Sequence, residues 1–406
     1  MTHQAPIRFA WRRARQWLRA ALVLAAFGPT TAPAAVTVDI AAREYLLIDV
    51  QTGAELASKN ADERMPPSSM SKLMTAYMVF DALKSGRLSL DDEMAVSENA
   101  WKLGGAASGG STMFLNPNDR VKVEDLLRGM IIQSGNDACI VLAENLSGSE
   151  DAFAEAMNAK ARELGMTGSN FMNATGLPHP DHHMTARDLA TLARHIITDF
   201  PEYYSLYSET SFTYNGITQG NRNPLLYNVG SGADGLKTGH TDAAGYGLTA
   251  SAVRNGRRLI LVANGMDSIK SRDAETSKLM DWGFREFVNR SLFKAGDKVA
   301  DAEVWLGDTA SVSLIIPTDL VVTLPRGAAQ SIVVKAVYEG PLAAPVDKGA
   351  AVGKVVVAAN DVALIEVGLV AGEAVDRLGF VGRLKAAASY IFFGPPKPAT
   401  PATAGG

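Results

Sequence analysis

Cysteine is all but missing from this chain. Cys139 is the only one in 406 residues, so no disulfide can close within the molecule and no cysteine-based zinc site can be built. The run Asp137-Ala138-Cys139-Ile140-Val141-Leu142 is apolar, and a thiol there is expected to pack as a small hydrophobe. A surplus of basic residues is lacking too. The formal net charge is -4, and Arg8, Arg12, Arg13, Arg15 and Arg19 all crowd the N-terminal end. Phosphate binding needs clustered Lys and Arg, so nucleic acid is not an expected partner. Beyond the N-terminal segment no apolar run is long enough to span a bilayer. Histidines are few. His179, His182 and His183 lie at spacings that can ligate zinc, but Pro178 and Pro180 break the run, which favours a solvent-facing loop. Neither a metal nor a cofactor is expected.

What is present is organised in blocks. The arginine-rich start leads into the apolar stretch Ala20-Ala21-Leu22-Val23-Leu24-Ala25-Ala26-Phe27, the breaker Gly28-Pro29, and the small residues Ala32-Pro33-Ala34. This is the pattern of an export signal over residues 1–34, cleaved near Ala34 or Ala35, and it predicts work on the periplasmic side of the cytoplasmic membrane. Strand-like alternation over Tyr45–Val50 and the turn Gln51-Thr52-Gly53 read as a hairpin. Pro66-Pro67-Ser68 then opens a helix with Leu73, Tyr77, Phe80 and Leu83 at helical spacing. Helices are predicted over Val123–Ile132, Asp137–Asn145, Glu150–Leu164 and Ala186–Ile197, then strands over Gly247–Val253 and Leu259–Asn264 about the turn Asn255-Gly256, then a helix over Asp273–Asn289. A parallel β/α fold would alternate strictly, and this order does not. It predicts the α+β class, an antiparallel sheet with a helical cluster, over residues 35–295. Short β-rich runs then predict a small all-β, sandwich-like domain over 296–372. Val375, Leu378, Val381 and Leu384 recur at helical spacing among Arg377, Arg383 and Lys385. That suits an amphipathic helix over 373–394, either lying on the membrane or packing on the β domain. A proline-rich tail over 395–406 is expected to be disordered.

Three short motifs carry chemistry. In Ser69-Met70-Ser71-Lys72 the hydroxyl and the amine are three apart on a helix start and share a face. A serine hydroxyl needs a base to become a nucleophile, and a lysine of lowered pKa can be one. Ser134-Gly135-Asn136, between two helices, sets a hydroxyl beside an amide. Lys237-Thr238-Gly239-His240-Thr241, placed on a strand, offers a cation and a hydroxyl donor, with Gly239 allowing close approach to the backbone. Each is weak alone: Ser69 could simply cap its helix. Together and in this order they match the Ser-x-x-Lys, Ser-x-Asn and Lys-Thr-Gly signature of class A β-lactamases and penicillin-binding proteins.

The chain resembles the low-molecular-mass D-alanyl-D-alanine carboxypeptidases over about residues 37–290, through Pro67–Thr75, Gly110–Leu115, Gln133–Ala138, Asn221-Arg222-Asn223 and Asp234–Thr241. The resemblance implies a β-lactamase/transpeptidase-like domain that releases the terminal D-alanine from peptidoglycan stem pentapeptides and is acylated by β-lactams. It assigns Ser69 as nucleophile, Lys72 as base and Ser134 as proton relay, positioned by Asn136 and Lys237. The backbone N–H groups of Ser69 and His240 would hold the oxyanion, Thr238 and Arg222 would bind the terminal carboxylate beside Gly239, and Ser111 would line the pocket. Peripheral membrane contact through a C-terminal helix is a further family trait. Arg272 is a weaker candidate for shaping the site and reads better as a surface arginine paired with Asp273. An endopeptidase, a serine β-lactamase and a non-catalytic wall binder remain as rivals on the same motifs.

Overall fold

The computed structural model describes residues 37–360 and 364–393. The leader expected over 1–34 and the tail over 395–406 lie outside them.

The central sheet is antiparallel. Its strands are β1 (Glu44–Asp49), β2 (Glu55–Lys59), β3 (Ala233–Thr241), β4 (Gly245–Arg254) and β5 (Arg257–Met266), in the spatial order β2-β1-β5-β4-β3. Side chains alternate across a strand, and here both faces are covered. Leu46, Ile260 and Val262 join a core with the helical cluster, while their neighbours Tyr45, Leu47, Leu259 and Leu261 join a second core with Leu279, Met280 and Trp282. Each such leucine, fully buried, contributes about 1.5–3 kcal/mol. The first core belongs to α1 (Lys72–Lys84), α2 (Val123–Ile131), α3 (Asn136–Ser147), α4 (Glu150–Glu163) and α5 (Ala186–Asp199); the second to α6 (Ile269–Glu286). Side-chain caps start three of these helices: Ser149 accepts from the Ala152 N–H, Thr185 from Asp188 and Ser268 from Ser271.

Two local departures from the sequence reading matter. The helix predicted to reach Asn289 stops at Glu286, and Phe287–Phe293 is a strand paired with Leu320–Pro325. Tertiary pairing overrides local propensity there. The helix predicted from Pro67-Ser68 begins instead as a 3-10 turn over Ser68–Ser71 and becomes α-helical at Lys72. In a 3-10 turn residues three apart eclipse, which stacks Ser69 directly over Lys72.

The C-terminal part is β-rich. Six strands follow the order Val333–Tyr338, Ala351–Ala358, Ile365–Ala371, Ser311–Ile315, Lys298–Trp305, Leu342–Ala343. Leu320, Val322 and Leu324 of the two-stranded ribbon share one apolar core with Val312, Leu314, Val355 and Leu369 of that sheet, which makes the arrangement sandwich-like. The buried Asp49 carboxylate anchors the junction. It pairs with Arg257 at 2.7 Å and accepts from Asn289 Nδ2 at 3.2 Å, while Thr52 Oγ1 meets Thr323 Oγ1 at 2.5 Å. The last element is a helix over Phe380–Phe393. Among the described residues no helix is long and apolar enough to cross a membrane.

Candidate active site

The site lies where the 3-10 turn meets the edge strand β3. Close approach requires Gly239: a Cβ there would sit 2.9 Å from Pro67 O and 3.2 Å from Met70 N. A cavity of about 520 Å³ opens at this meeting, lined in part by Ser69, Ser111, Ser134, Arg222, Thr238 and His240. The three motifs, far apart in the chain, thus share one space. A smaller chamber of about 420 Å³ adjoins it and contains Ser69 and Asn136.

Lys72 is 1% exposed. Its Nζ lies 3.0 Å from Ser69 Oγ, 2.8 Å from Asn136 Oδ1 and 2.5 Å from the Thr175 carbonyl oxygen. Burial holds its pKa below the ordinary lysine range, because a buried ammonium loses its hydration. Lys237, 2% exposed, is held well below that range by burial first and then by the charges of Lys72 and Arg222. Ser134 sits at φ 63°, and its buried hydroxyl has no hydrogen-bond partner. Such an orphan costs stability and marks a group kept for something else. Arg222 Nη1 donates to Ser111 Oγ at 2.6 Å, tying the loop of Gly109, Gly110 and Ser111 to the cavity. The His240 ring stacks on Tyr246 with centroids 3.9 Å apart.

Several residues escaped the sequence reading. Arg272 was expected on the surface beside Asp273. Instead it is 6% exposed, lines the cavity, donates to the Arg222 carbonyl at 3.2 Å and lies under the Tyr246 ring. Asp137 is fully buried, and its carboxylate accepts from Thr112 Oγ1, Met113 N and Leu115 N, at 2.5, 3.0 and 3.1 Å. It thereby fixes the loop that carries Ser111. Its place next to the Ser-Gly-Asn motif at the head of an apolar helix was the available signal. Thr175 contributes only its carbonyl, which no side-chain pattern reveals.

His182 also departs from expectation. Rather than facing solvent it is 5% exposed, edge-on to Phe171, with Nε2 2.9 Å from Ser71 Oγ. The Met172 N–H points at Nδ1, so Nδ1 accepts and Nε2 carries the proton toward Ser71. Burial lowers its pKa to about 4. Cys139 is buried, its pKa pushed up to about 12 by burial, the environment of an inert thiol.

A serine hydroxyl held on a buried amine, in a cleft between an antiparallel sheet and a helical cluster, is an arrangement suited to a serine acyl-transfer enzyme. Comparison with known proteins narrows the class. The sequence profile of the D-alanyl-D-alanine carboxypeptidase family matches residues 29–268, and that of the penicillin-binding protein 5 C-terminal domain matches 287–377. D-alanyl-D-alanine carboxypeptidase DacC of Escherichia coli is 41% identical over 365 residues, 88% of this chain and 91% of that protein. The crystal structure of penicillin binding protein 5 from Haemophilus influenzae superimposes with a TM-score of 0.77 at 39% identity, covering 84% of this chain and 99% of the other. Penicillin-binding protein D2 from Listeria monocytogenes, solved in an ampicillin-bound form, gives 0.53 at 32% identity over 61% of this chain and 99% of its own. The chain belongs to the D-alanyl-D-alanine carboxypeptidase family, the low-molecular-mass penicillin-binding proteins, and is a serine-type D-Ala-D-Ala carboxypeptidase.

Proposed function

We propose that the reaction runs through an acyl-enzyme on Ser69 with Lys72 as the base. The observation that carries this is the hydrogen-bond set of Lys72. A neutral amine has two N–H donors and one lone pair. The Thr175 carbonyl and Asn136 Oδ1 can only accept, so they take the two donors. The lone pair is left to face Ser69 Oγ, the one partner able to give a proton.

The steps follow. Ser69 Oγ attacks the carbonyl between the last two D-alanines of a stem pentapeptide, and its proton passes to Lys72. Strand β3 is an edge strand, so the substrate can lie alongside it and pair with its free amides. Backbone N–H groups of Ser69 and His240 serve as the oxyanion donors. Ser134 relays the proton from Lys72 to the leaving amine, with Asn136 and Lys237 as positioning partners, and the C–N bond breaks. Thr238 and Arg222 hold the terminal carboxylate, Arg222 by its planar fork, with Gly239 leaving room at the strand and Ser111 closing the pocket. Water then attacks the ester and frees the shortened peptide. A β-lactam takes the same attack, and its opened ring stays attached because no fragment departs.

Two further readings accompany this. Residues 1–34 direct export, which leaves a mature chain of a 35–295 catalytic part and a 296–372 β-rich part on the periplasmic side. The C-terminal helix makes peripheral membrane contact, supported by exposed Phe380, Val381, Leu384, Ile391 and Phe392 beside Arg383 and Lys385.

The test uses a labelled penicillin and mass spectrometry of the intact protein, with a pentapeptide muropeptide assayed in parallel. The expected results are one adduct lost in Ser69→Ala and free D-alanine as the product. An undiminished adduct on Ser69→Ala contradicts the acyl-enzyme, and cleaved cross-linked dimers without free D-alanine contradict the substrate.

A further inference from the structure

The reaction as described leaves Ser71 unused, although it stands between Ser69 and Lys72. Ser71 is fully buried, and its Oγ lies 2.9 Å from His182 Nε2. A neutral imidazole holds one donor and one acceptor on a rigid ring. Here Nδ1 accepts from the Met172 N–H at 3.3 Å, which leaves the Nε2 proton for Ser71. Burial first, then His179, His183 and Lys72, keep the ring from taking a second proton. A protonated ring would set an N–H against the Met172 N–H and lose that anchor.

The ring joins two pieces of backbone that both reach Lys72. One is the 3-10 turn that carries Ser69. The other is the loop over residues 171–182, closed at its base by the bridges of Asn170 with His183 and of Met184 with Met65. This loop supplies the Thr175 carbonyl to Lys72 Nζ, and its Ala174 carbonyl accepts from Thr75 Oγ1 at 2.7 Å. It lies tight on the turn. A Cβ on Gly176 would collide with the Ser68 carbonyl and sit 3.0 Å from Ser71 Cβ.

The turn needs such a hold. Ser68 sits at φ 50°, a left-handed conformation uncommon for a residue with a side chain. Strain of this kind persists only where the surroundings over-determine it. On the strand side Ser68 Oγ meets Thr241 Oγ1 at 3.3 Å, and Gly239 packs against Met70. On the loop side Ser71 Oγ meets His182. Without that contact the turn and the loop are free to slide past one another. The Thr175 carbonyl then leaves its place on Lys72, and the lone pair no longer faces Ser69.

We propose that His182 is a positioning residue of the acylation step: through Ser71 it locks the nucleophile turn to the loop of Thr175 and so keeps the Lys72 lone pair aimed at Ser69. The proposal rests on the acyl-enzyme reading of Ser69 and Lys72. His182 acts on the reaction only through Ser71 and Thr175, so its loss should slow bond formation while leaving the grip on the ligand as it is.

The experiment follows acylation by a fluorescent penicillin at rising concentration, which separates the saturated rate from the affinity of the complex that precedes it. His182→Leu is expected to lower the saturated rate about tenfold and to leave that affinity within about twofold of wild type, the mark of lost positioning. His182→Gln keeps an acceptor and a donor in place of the two ring nitrogens and recovers the rate to within about threefold of wild type. Ser71→Ala loses as much as His182→Leu, and the double variant loses no more than either, because partners in one interaction do not add. An unchanged saturated rate in His182→Leu overturns the proposal. So does a loss carried by affinity instead, a His182→Gln as slow as His182→Leu, or losses that multiply in the double variant. Should His182→Leu fail to fold by circular dichroism, Ser71→Ala decides: a slowed saturated rate supports the proposal and an unchanged one overturns it. If wild type itself forms no adduct, it is the acyl-enzyme reading that fails.

Discussion

Replacing Asn136 by aspartate tests the assignment of Lys72 at a single atom. The change is nearly isosteric and sets a carboxylate oxygen where Oδ1 now lies 2.8 Å from Nζ. Two unit charges about 4 Å apart at an effective dielectric constant of about 20 attract by about 4 kcal/mol. Solvent in the cleft reduces this, and about 3 kcal/mol corresponds to a proton held about a hundredfold more tightly on Lys72. In wild type, burial pulls the other way and lowers the Lys72 pKa. If neutral Lys72 takes the proton of Ser69, acylation rises with pH through that lowered pKa and then levels. In Asn136→Asp the rising limb moves to higher pH. At any pH on the limb the rate falls about a hundredfold, and the two profiles converge in strong alkali. The lost amide donor adds a uniform loss that does not change the profile's shape. The assay is the second-order rate of acylation by a fluorescent penicillin, measured across pH for both proteins. A variant profile that is merely scaled down, with its limb unmoved, would mean that Lys72 is not the group whose ionisation limits the attack.

Two other substitutions probe the supports of the site. His182 is held neutral, its pKa lowered from 6.5 to about 4. The unfolded chain therefore binds a proton that the folded one does not as pH falls through this window. Stability should decline between about pH 6.5 and pH 4 by up to about 1.4 kcal/mol per pH unit. In His182→Gln, denaturant unfolding should lose that decline; an unchanged acid dependence would place its origin elsewhere. Asp137→Asn puts an N–H against donors that now meet a carboxylate, and should cost about 2–3 kcal/mol. Calorimetry should show a Tm several degrees lower together with slower acylation, and an unaltered Tm would rule out the anchoring role of this carboxylate.

What could be read from the sequence was whatever side-chain identity alone encodes. Ser69, the two lysines, the amide of Asn136 and the strand glycine are residue types that the proposed chemistry demands, and the fold brings them near one another. The supports were invisible for definite reasons. Thr175 acts through a carbonyl that every residue owns. Arg272 shares a helix face with the buried Thr276, Leu279 and Gly283, but it lies near the start of the helix beside Asp273, and only the packing of α6 over the sheet tells that it turns inward under Tyr246. His182 lies in a proline-broken run typical of exposed loops, and its burial depends on the distant Ser71. The strand at Phe287 needs its partner at Pro325, a pairing that local propensity does not carry. The 3-10 start of the nucleophile helix is similar: whether residues three apart merely share a face or eclipse was decided by packing of the turn against Gly239.

The charge balance of the cleft joins these observations to the choice of substrate. Lys72 and Lys237 are both buried, and after burial itself the charge of Lys72 lowers the affinity of Lys237 for a proton. Arg222 and Arg272 add positive charge, and none of the residues lining the cavity is acidic. Burial is the first reason that both lysines hold protons less tightly than lysine ordinarily does, and the charge of Arg222 adds to it. In the proposed binding mode the terminal carboxylate of the peptide would bring an anion to the Lys237 end. It would favour the protonated form of the nearer lysine, and so the two amines need not carry the same charge: under the proposed mechanism the other, pinned by Thr175 and Asn136, is the one whose lone pair faces Ser69. On this account the free carboxylate is more than a handle for binding. It sorts the protons between two chemically identical groups, and a peptide lacking it leaves both lysines competing for the same state.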